Sequence, residues 1–406
     1  MFLPDFQTWV KCTYASLTPL HRSPRTYPAH YTTPGRNLVF SIFRFLGVLV
    51  YLALASCQTF PRFAVEPLPR YEALFEPPSG WTGGDGAYSA ALGSNRFLWL
   101  FGDTLVGEVR DGRRIIAGMV PNSIGIQMGN EAEAASIHFF PDGGSTPFLK
   151  PEEGLGWVWP YHAVRTREGL YFFLLQLEHA DRSPPFGFRL LSNWLGHVRN
   201  PEDPPQRWKI SQRKIPWGNA QRQFGSFVLV KEGYYYIYGT VAEMVKGQRR
   251  WNMILARAPI GGLADFNSWL FFRDGEWIAD VDRAGRICEN VATEFSVSFQ
   301  PLLNQYVLVY TERGFSEHSN SSVIRLSPNL HGPWTDSIPV YRCLETQRDP
   351  RICCYAAKGH PEIASSPEEL ILTYVATSCD GDLKVLADAS LYRPRFLRIR
   401  FADPRK

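Results

Sequence analysis

The sequence has 406 residues, of which 45% are hydrophobic, 20% are charged and 14% are aromatic. This composition can form a large hydrophobic core and excludes an intrinsically disordered chain. The many aromatic, Gly and Pro residues favour strands and tight turns over a helical bundle or a doubly wound α/β fold. The net charge of +4 comes from residues 1–56, and the remainder of the chain is formally neutral. We therefore expect no nucleic-acid partner.

The N-terminal segment has the pattern of an export signal. Arg36 and Arg44 precede an apolar run over residues 45–55, which is too short to span a bilayer. The run ends in Leu-Ala-Ser-Cys at 54–57, which resembles the lipobox of bacterial lipoproteins, where the Cys carries the lipid. An ordinary signal peptide or anchor helix with a chance Cys is the alternative.

This pattern divides the chain into three parts. We predict a leader over residues 1–56, with residues 1–35 explained by a misassigned start, and then a lipidated Cys57 with a tether over 57–78. Residues 79–406 are expected to form a single domain. The predicted location is exported and anchored to a membrane by the N-terminal lipid. Because Gln58 follows the Cys where a retained lipoprotein has Asp, a Gram-negative host would sort the protein to the outer membrane.

Export also governs how the cysteines are interpreted. Four of the seven, Cys343, Cys353, Cys354 and Cys379, lie close together in sequence. One or two local disulfides are therefore expected in an oxidising compartment. Pairs of Cys-x-x-Cys do not recur with His at zinc-like spacing. We predict no metal and no cofactor, with a calcium ion in a central channel as the open alternative.

Five segments follow one plan, in which an apolar strand and a short polar turn precede an aromatic-rich strand. The segments begin at Tyr88, His162, Ser226, Phe295 and His360. Their spacing of about 65–75 residues is long enough for four strands with loops. The sequence therefore predicts an all-β, five-bladed β-propeller, closed by pairing of the terminal strand at 396–401 with the segment around 63–75. A generic β-sandwich is the alternative.

In a propeller, the residues before the first strand and after the second strand of each blade meet at one mouth. This topology predicts a rim of carboxylates, His, amide and cationic side chains. The predicted catalytic residues are Asp85, Glu294 and Asp103, and the predicted substrate contacts are Trp81, Asn122, His162, Arg222, Lys358 and His360. Carboxylates can supply acid and base at a glycosidic bond, and Trp faces stack on sugar rings. For each of these residues, a purely structural role is the alternative.

The motifs Trp-Thr-Gly-Gly-Asp-Gly-Ala-Tyr-Ser at 81–89 and Leu-Trp-Leu-Phe-Gly-Asp-Thr at 98–104 resemble the opening of secreted five-bladed propellers of unknown function. Relatives of that family include the bacterial endo-D-arabinanases and, more distantly, the arabinanase-like glycoside hydrolases. In the latter, carboxylates on the first strands of successive blades act as base, pKa modulator and acid. The resemblance implies such roles for Asp85 and Glu294, whereas His162 stands where the second blade would carry an acid.

The predicted function is a surface-anchored, monomeric glycoside hydrolase. Its substrate would be a furanoside-rich or arabinan-like poly- or oligosaccharide of a cell envelope or a plant. The departure at His162 motivates a second hypothesis, a catalytically silent glycan-binding or envelope-scaffold propeller. The pair of His162 and His360 motivates a third, a lyase or other metal-assisted enzyme.

Overall fold

The computed structural model describes residues 61–141, 146–180, 187–316 and 318–403. The predicted leader, lipobox and Cys57 lie outside these residues. No helix in the described part of the chain is long and apolar enough to cross a membrane. The described chain consists mainly of antiparallel strands, which confirms the all-β prediction.

The first part of the chain forms one four-stranded and one three-stranded sheet. Its elements are β1 (Phe63–Pro67), α1 (Pro69–Ala73), β2 (Ser79–Gly84), β3 (Tyr88–Gly93), β4 (Arg96–Phe101), β5 (Thr104–Arg110), β6 (Arg113–Val120), β7 (Ser123–Met128) and β8 (Ser136–Phe140). The first sheet has the order β3-β4-β7-β8, and β2, β5 and β6 form the separate small sheet. Ser94 and Asn95 both adopt positive φ between β3 and β4, as a tight hairpin turn requires.

The second and third sheets follow as consecutive meanders. Their strands are β9 (Trp157–Arg165), β10 (Leu170–His179), β11 (Phe188–Val198), β12 (Ile210–Lys214), β13 (Arg222–Lys231), β14 (Tyr234–Val245), β15 (Gln248–Pro259), β16 (Leu270–Arg273) and β17 (Glu276–Ile278). Strands β9–β12 form the second sheet and β13–β17 the third. Residues 170–177 of β10 are all buried, which explains why this stretch is apolar except for Gln176.

The fourth and fifth sheets complete the chain. Their elements are β18 (Phe295–Gln300), β19 (Gln305–Thr311), β20 (Ser321–Ser327), β21 (Ile338–Arg342), β22 (Ile352–Gly359), β23 (Glu369–Ser378), α2 (Leu383–Leu386) and β24 (Pro394–Phe401). Short 3₁₀ helices occur at Pro205–Arg207, Phe266–Ser268, Val281–Arg283, Glu345–Gln347 and Pro361–Ile363. Strands β18–β21 form the fourth sheet, and the fifth has the order β1-β24-β23-β22.

The N-terminal strand completes the last sheet, as the sequence predicts. Phe63 lies opposite Phe401 and Pro67 opposite Leu397. The folded unit therefore begins before residue 79, within the segment predicted as a tether, because β1 covers the edge of β24.

Neighbouring sheets pack through their innermost strands, with contacts in the order β3, β9, β13, β18 and β22. Apolar clusters fill the spaces between successive sheets. The fifth sheet meets the first where the Phe396 ring packs against Phe75 and Trp99, with centroids 5.1 and 5.7 Å apart. A disulfide joins Cys343, after β21, to Cys354 in β22, which confirms the predicted local disulfide.

Two inner strands begin earlier than the sequence predicts. His162 lies inside β9, and His360 follows β22 instead of opening a strand. Bulges explain both errors. The pairing register shifts at Tyr161 and His162 in β9 and at Ala356 and Ala357 in β22, and an extra residue breaks the alternation that marks a strand.

Candidate active site

Three carboxyl groups from distant parts of the sequence meet at one end of the first and fourth sheets. Asp85 lies between β2 and β3, Asp103 follows β4 and Glu294 precedes β18. The Asp85 amide donates to the Asp103 carbonyl at 3.2 Å. A Cβ at Gly86, where φ is +79°, would lie 3.9 Å from Glu294 Oε1. All three predicted catalytic residues are therefore close neighbours.

The glycines around Asp85 allow this approach. The Gly102 amide donates to the Asp85 carbonyl at 3.1 Å, and a Cβ at Gly102 would collide with Asp85 Oδ1. Only a residue without a side chain lets the strand end pass so close to the carboxyl group. The Gly-Asp pair at 102–103 thus accommodates one carboxylate and supplies another.

Asp85 is the most crowded of the three. Tyr355 Oη donates to Asp85 Oδ2 at 2.6 Å. Burial raises the pKa of Asp85 well above its ordinary value, and the neighbouring Asp103 and Glu294 raise it further. The tyrosine hydrogen bond opposes this shift without cancelling it. Asp85 therefore holds a proton at a pH where an exposed aspartate has lost its own.

Asp103 is fixed by an indole. Trp159 Nε1 donates to Asp103 Oδ1 at 2.9 Å. Burial raises the pKa of Asp103 to about 6, although the indole hydrogen bond lowers it. Asp85 and Asp103 interact strongly, so their protons are lost in two steps that belong to the pair. At near-neutral pH the pair can still provide a proton, which is the property of a general acid.

Glu294 has a cationic partner beneath it. Lys358 Nζ lies 3.4 Å from Glu294 Oε1 and donates to the Ala356 carbonyl at 2.8 Å. The Glu294 side chain is 21% exposed, whereas that of Lys358 is 1% exposed. Burial lowers the pKa of Lys358, and the neighbouring carboxylates oppose that shift. The prediction of Lys358 as a substrate contact is wrong, because its ammonium is enclosed and faces Glu294.

Two further predicted substrate contacts are core residues. Trp81 is 3% exposed, stacks on Phe139 at 4.3 Å and donates to Ser123 Oγ at 3.1 Å. Asn122 is fully buried, and its side-chain amide donates to the carbonyls of Leu149 and Val158. Neither side chain can reach a ligand, so these predictions are wrong.

The two predicted histidines also bond within the protein. His162 Nδ1 accepts from the Val228 amide at 3.2 Å, and its ring stacks on Phe227 at 4.0 Å. Burial lowers the pKa of His162 to about 3. His360 Nδ1 lies 2.5 Å from Ser89 Oγ, and its Nε2 lies 2.7 Å from Thr373 Oγ1. The prediction of direct sugar contacts is wrong for both, because these rings fill the interfaces between sheets.

Arg222 is engaged elsewhere. Its guanidinium forms an ion pair with Asp282 at 2.6 Å at the start of β13. Because this guanidinium is already paired, the structure does not support the predicted role of Arg222 in binding an anionic group.

Sequence reasoning missed three residues that organise the site. Tyr355 donates to Asp85, and burial together with the Asp85 charge raises the pKa of Tyr392. Arg114, which is 4% exposed, donates to the carbonyls of Thr82 and Leu391 at 2.7 and 2.9 Å. It thus joins the segment before Asp85 to the segment before Tyr392. The only signal in the sequence was an Arg at an inward position of β6.

Among the described residues, one group of potential metal ligands lies close enough to hold an ion, namely Cys343, Glu345 and Cys354. The two sulfurs form a disulfide, so no thiolates remain to bind a metal. This donor set does not fit a metal site.

The fold is similar to that of a presumed hydrolase from Bacteroides ovatus, with a TM-score of 0.66 and 18% identity over 82% of this chain and 90% of that one. A thermostable family-43 glycoside hydrolase has a TM-score of 0.45 and 14% identity, over 80% and 92% of the two chains. The catalytic domain of a Coprinopsis cinerea GH62 α-L-arabinofuranosidase has a TM-score of 0.45 and 10% identity, over 84% and 97%.

No curated protein sequence matches the chain. The likeness to the Bacteroides ovatus structure establishes a shared fold. Residues 69–401 match the family model described as a domain of unknown function, DUF5005. Because this match covers most of the sequence, the chain belongs to the DUF5005 family.

Proposed function

We propose that this protein is a glycoside hydrolase that cleaves a furanoside-rich, arabinan-like polysaccharide. The observation that carries the proposal is the cluster of Asp85, Asp103 and Glu294, in which burial raises the pKa of both aspartates and the neighbouring carboxylates raise that of Asp85 further. Glycosidic bond hydrolysis needs a protonated and an ionised carboxyl group on opposite sides of one bond. A cluster that keeps a proton beside a charged partner meets this requirement.

The roles follow from the surroundings of each carboxyl group. Asp85 acts as the general acid, because the neighbouring carboxylates hold its proton until the leaving oxygen takes it. Asp103 raises the pKa of Asp85 and shares its proton. Glu294, paired with Lys358, takes the proton of the attacking water. Tyr355 holds the Asp85 carboxyl in position through its hydrogen bond.

We also infer that the five main sheets are blades of a five-bladed β-propeller. Each contains four or five strands, and their innermost strands contact one another in chain order. The strand from the N-terminus completes the last sheet, which is a common way to hold a ring closed. In this architecture, Asp85 and Glu294 enter inner strands at the same mouth.

The N-terminal sequence supports a further proposal, that Cys57 is lipidated and anchors the protein to a membrane. The support is the apolar run that ends in Leu-Ala-Ser-Cys at 54–57. Cys57→Ser should turn a membrane-bound, acyl-labelled protein into a soluble or unprocessed one. If Cys57→Ser stays associated with the membrane and the wild type carries no acyl label, Cys57 is not the anchor.

The hydrolase proposal is tested with the full-length protein in detergent on arabinans, arabinogalactans and other envelope polysaccharides. We expect reducing ends to be released by the wild type and not by Asp85→Asn or Glu294→Gln. If both variants release product at the wild-type rate, the assignment of Asp85 and Glu294 as catalytic residues is wrong.

A catalytically silent glycan-binding propeller is the second candidate. It is favoured by His162, which stands where the second blade would carry an acid and instead bonds to the Val228 amide. Binding of a glycan without product release across the whole panel would support this candidate over the hydrolase.

A further inference from the structure

We propose that four aromatic side chains of the second sheet form a binding subsite for a neutral sugar ring of the substrate, directly beside Asp103. The set consists of Trp157, Trp159, His179 and Phe188, and is called the aromatic shelf below. The inference rests on the proposed function and deepens it, because it assigns one sugar unit of the substrate to a defined surface.

The shelf is assembled from three adjacent strands. Trp157 and Trp159 alternate along β9 and thus share one face, and His179 lies opposite Phe188 where β10 and β11 meet. The Trp157 ring lies 4.8 Å from His179 and 6.2 Å from Phe188, and the Trp159 ring lies 4.9 Å from Phe188. The rings meet at steep interplanar angles of 55–84° and therefore form one contiguous aromatic cluster.

These rings differ from the other aromatic residues of the sheet in their exposure. Phe172 and Phe173 of β10 are 1% and 0% exposed and belong to the core. Trp157, Trp159 and Phe188 are only partly buried, and His179 is exposed. Trp157, Trp159 and Phe188 pack against the core and keep part of their surface exposed, as the residues of a ligand surface do.

The shelf is continuous with the carboxylate cluster. Trp159 Nε1 donates to Asp103 Oδ1 at 2.9 Å, and a Cβ at Gly102 would lie 3.7 Å from Trp159 Cδ1. A sugar chain with its scissile bond between Asp85 and Glu294 would place a neighbouring unit past Asp103, against Trp159 and Trp157. The same indole thus orients a catalytic-site carboxyl group and begins the subsite.

The chemistry of the shelf selects a neutral ring. Aromatic faces attract the polarised C–H groups of a sugar and gain from apolar burial. The charged side chains of the same strand ends, Glu178 and Arg189, bond to each other at 2.6 Å. With these charges paired, the ring faces supply the attraction, and a uronate gains no advantage over a neutral pentose or hexose.

Two substitutions separate stacking from the effect on Asp103. Trp157→Ala removes a stacking face, so we expect KM, and the Kd of a neutral arabino-oligosaccharide in the Asp85→Asn background, to rise about 3–10-fold with kcat little changed. Trp159→Phe retains a ring but removes the hydrogen bond that lowers the pKa of Asp103. The alkaline limb of the kcat–pH profile, where the acid pair of Asp85 and Asp103 loses its proton, should therefore move to higher pH. Trp277→Ala, in the third sheet and also partly exposed, is the matched control that should change neither.

The outcomes distinguish the shelf from the hydrolase. If the wild type releases product and Trp157→Ala keeps the wild-type KM and Kd, the shelf is wrong and the hydrolase stands. If no glycan is cleaved but Trp157→Ala weakens oligosaccharide binding, the shelf stands and the hydrolase is wrong. Tighter binding of a uronate oligosaccharide than of the neutral one would overturn the neutral class. His179→Ala, at an exposed strand end, gives the same test if Trp157→Ala does not fold.

Discussion

The carboxylate cluster and the histidine layer are both polar, yet their polar groups are satisfied in different ways. The cluster consists of Asp85, Asp103 and Glu294, and the layer of His162 and His360 with their hydrogen-bond partners. In the cluster, two aspartates with raised pKa values crowd one another. In the layer, His360 bonds through both ring nitrogens, and His162 bonds to a backbone amide and stacks on Phe227.

This difference indicates function more reliably than residue type does. Buried polar groups that find partners stabilise a fold, whereas like charges forced together cost free energy that a structural role would not require. From sequence, both histidines were candidates for substrate binding. The partners of both histidines within the protein favour a structural role, and the repulsion between carboxylates supports the proposal that the cluster is functional.

Asp85→Asn should have the largest effect. Loss of a general acid lowers kcat on the order of 10²–10⁴-fold. A carboxyl group whose pKa is raised by folding stabilises the fold at low pH and destabilises it when ionised. Asp85→Asn should therefore also raise the melting temperature at pH 7 by roughly a few degrees. Steady-state kinetics and calorimetry on the same preparations measure both effects. If Asp85→Asn stays active and melts at a lower temperature, Asp85 has a structural role instead of a catalytic one.

Arg114→Ala tests the framework that holds the cluster. It leaves the buried carbonyls of Thr82 and Leu391 without donors, so the free energy of unfolding should fall by roughly 2–4 kcal/mol. Urea unfolding measures this change. Arg113→Ala, the exposed neighbour on the same strand, should have almost no effect. Equal losses for the two variants would show that the buried guanidinium has no special role.

Lys358→Met sharpens the electrostatic part of the comparison. In a double-mutant cycle with Glu294→Gln, we expect a coupling of about 1–2 kcal/mol in stability, because the buried ammonium faces Glu294. The surface pair of Arg222 and Asp282, whose Asp side chain is 80% exposed, is the control and should couple by less than about 1 kcal/mol. If the coupling is no larger than in the control pair, Lys358 does not stabilise the Glu294 carboxylate.

Asp103→Asn should stabilise the protein at pH 7 but not at low pH, because the pKa of the Asp103 carboxyl is raised in the folded state. The wild type loses the contribution of Asp103 as the pH rises from the ordinary value of 3.8 through about 6. The variant should therefore melt higher than the wild type at pH 7, and the difference should vanish near pH 3. Melting curves across this range test the sign, which a constant difference would contradict.

His162→Gln should have the smallest effect and the opposite pH dependence. A lowered His pKa stabilises the fold above the ordinary value of 6.5, and this contribution is lost as the pH falls toward about 3. The variant should be about 1 kcal/mol less stable at pH 7 and closer to the wild type at pH 4, with unchanged kcat. A large loss of kcat in a folded variant would return His162 to the functional residues.

The sequence by itself determined the class of fold and part of the site. Alternating apolar residues and turn signals predict the hairpins, because a strand pattern depends on neighbours in the chain. The same local signals predict the pairing of the two chain ends and a disulfide within 343–379. Glycines flanking Asp85 and preceding Asp103 mark a carboxylate in a tight approach, and the structure brings both together with Glu294.

Only the tertiary structure decided which polar side chains face that cluster. Tyr355 reaches Asp85 from the fifth sheet, and Arg114 joins two segments far apart in sequence. Bulges at residues 161–162 and 356–357 shift the inner strands, so that His162 turns inward and Lys358 lies under Glu294. Such partners depend on how sheets pack against one another, and no local pattern encodes a hydrogen bond between residues hundreds of positions apart.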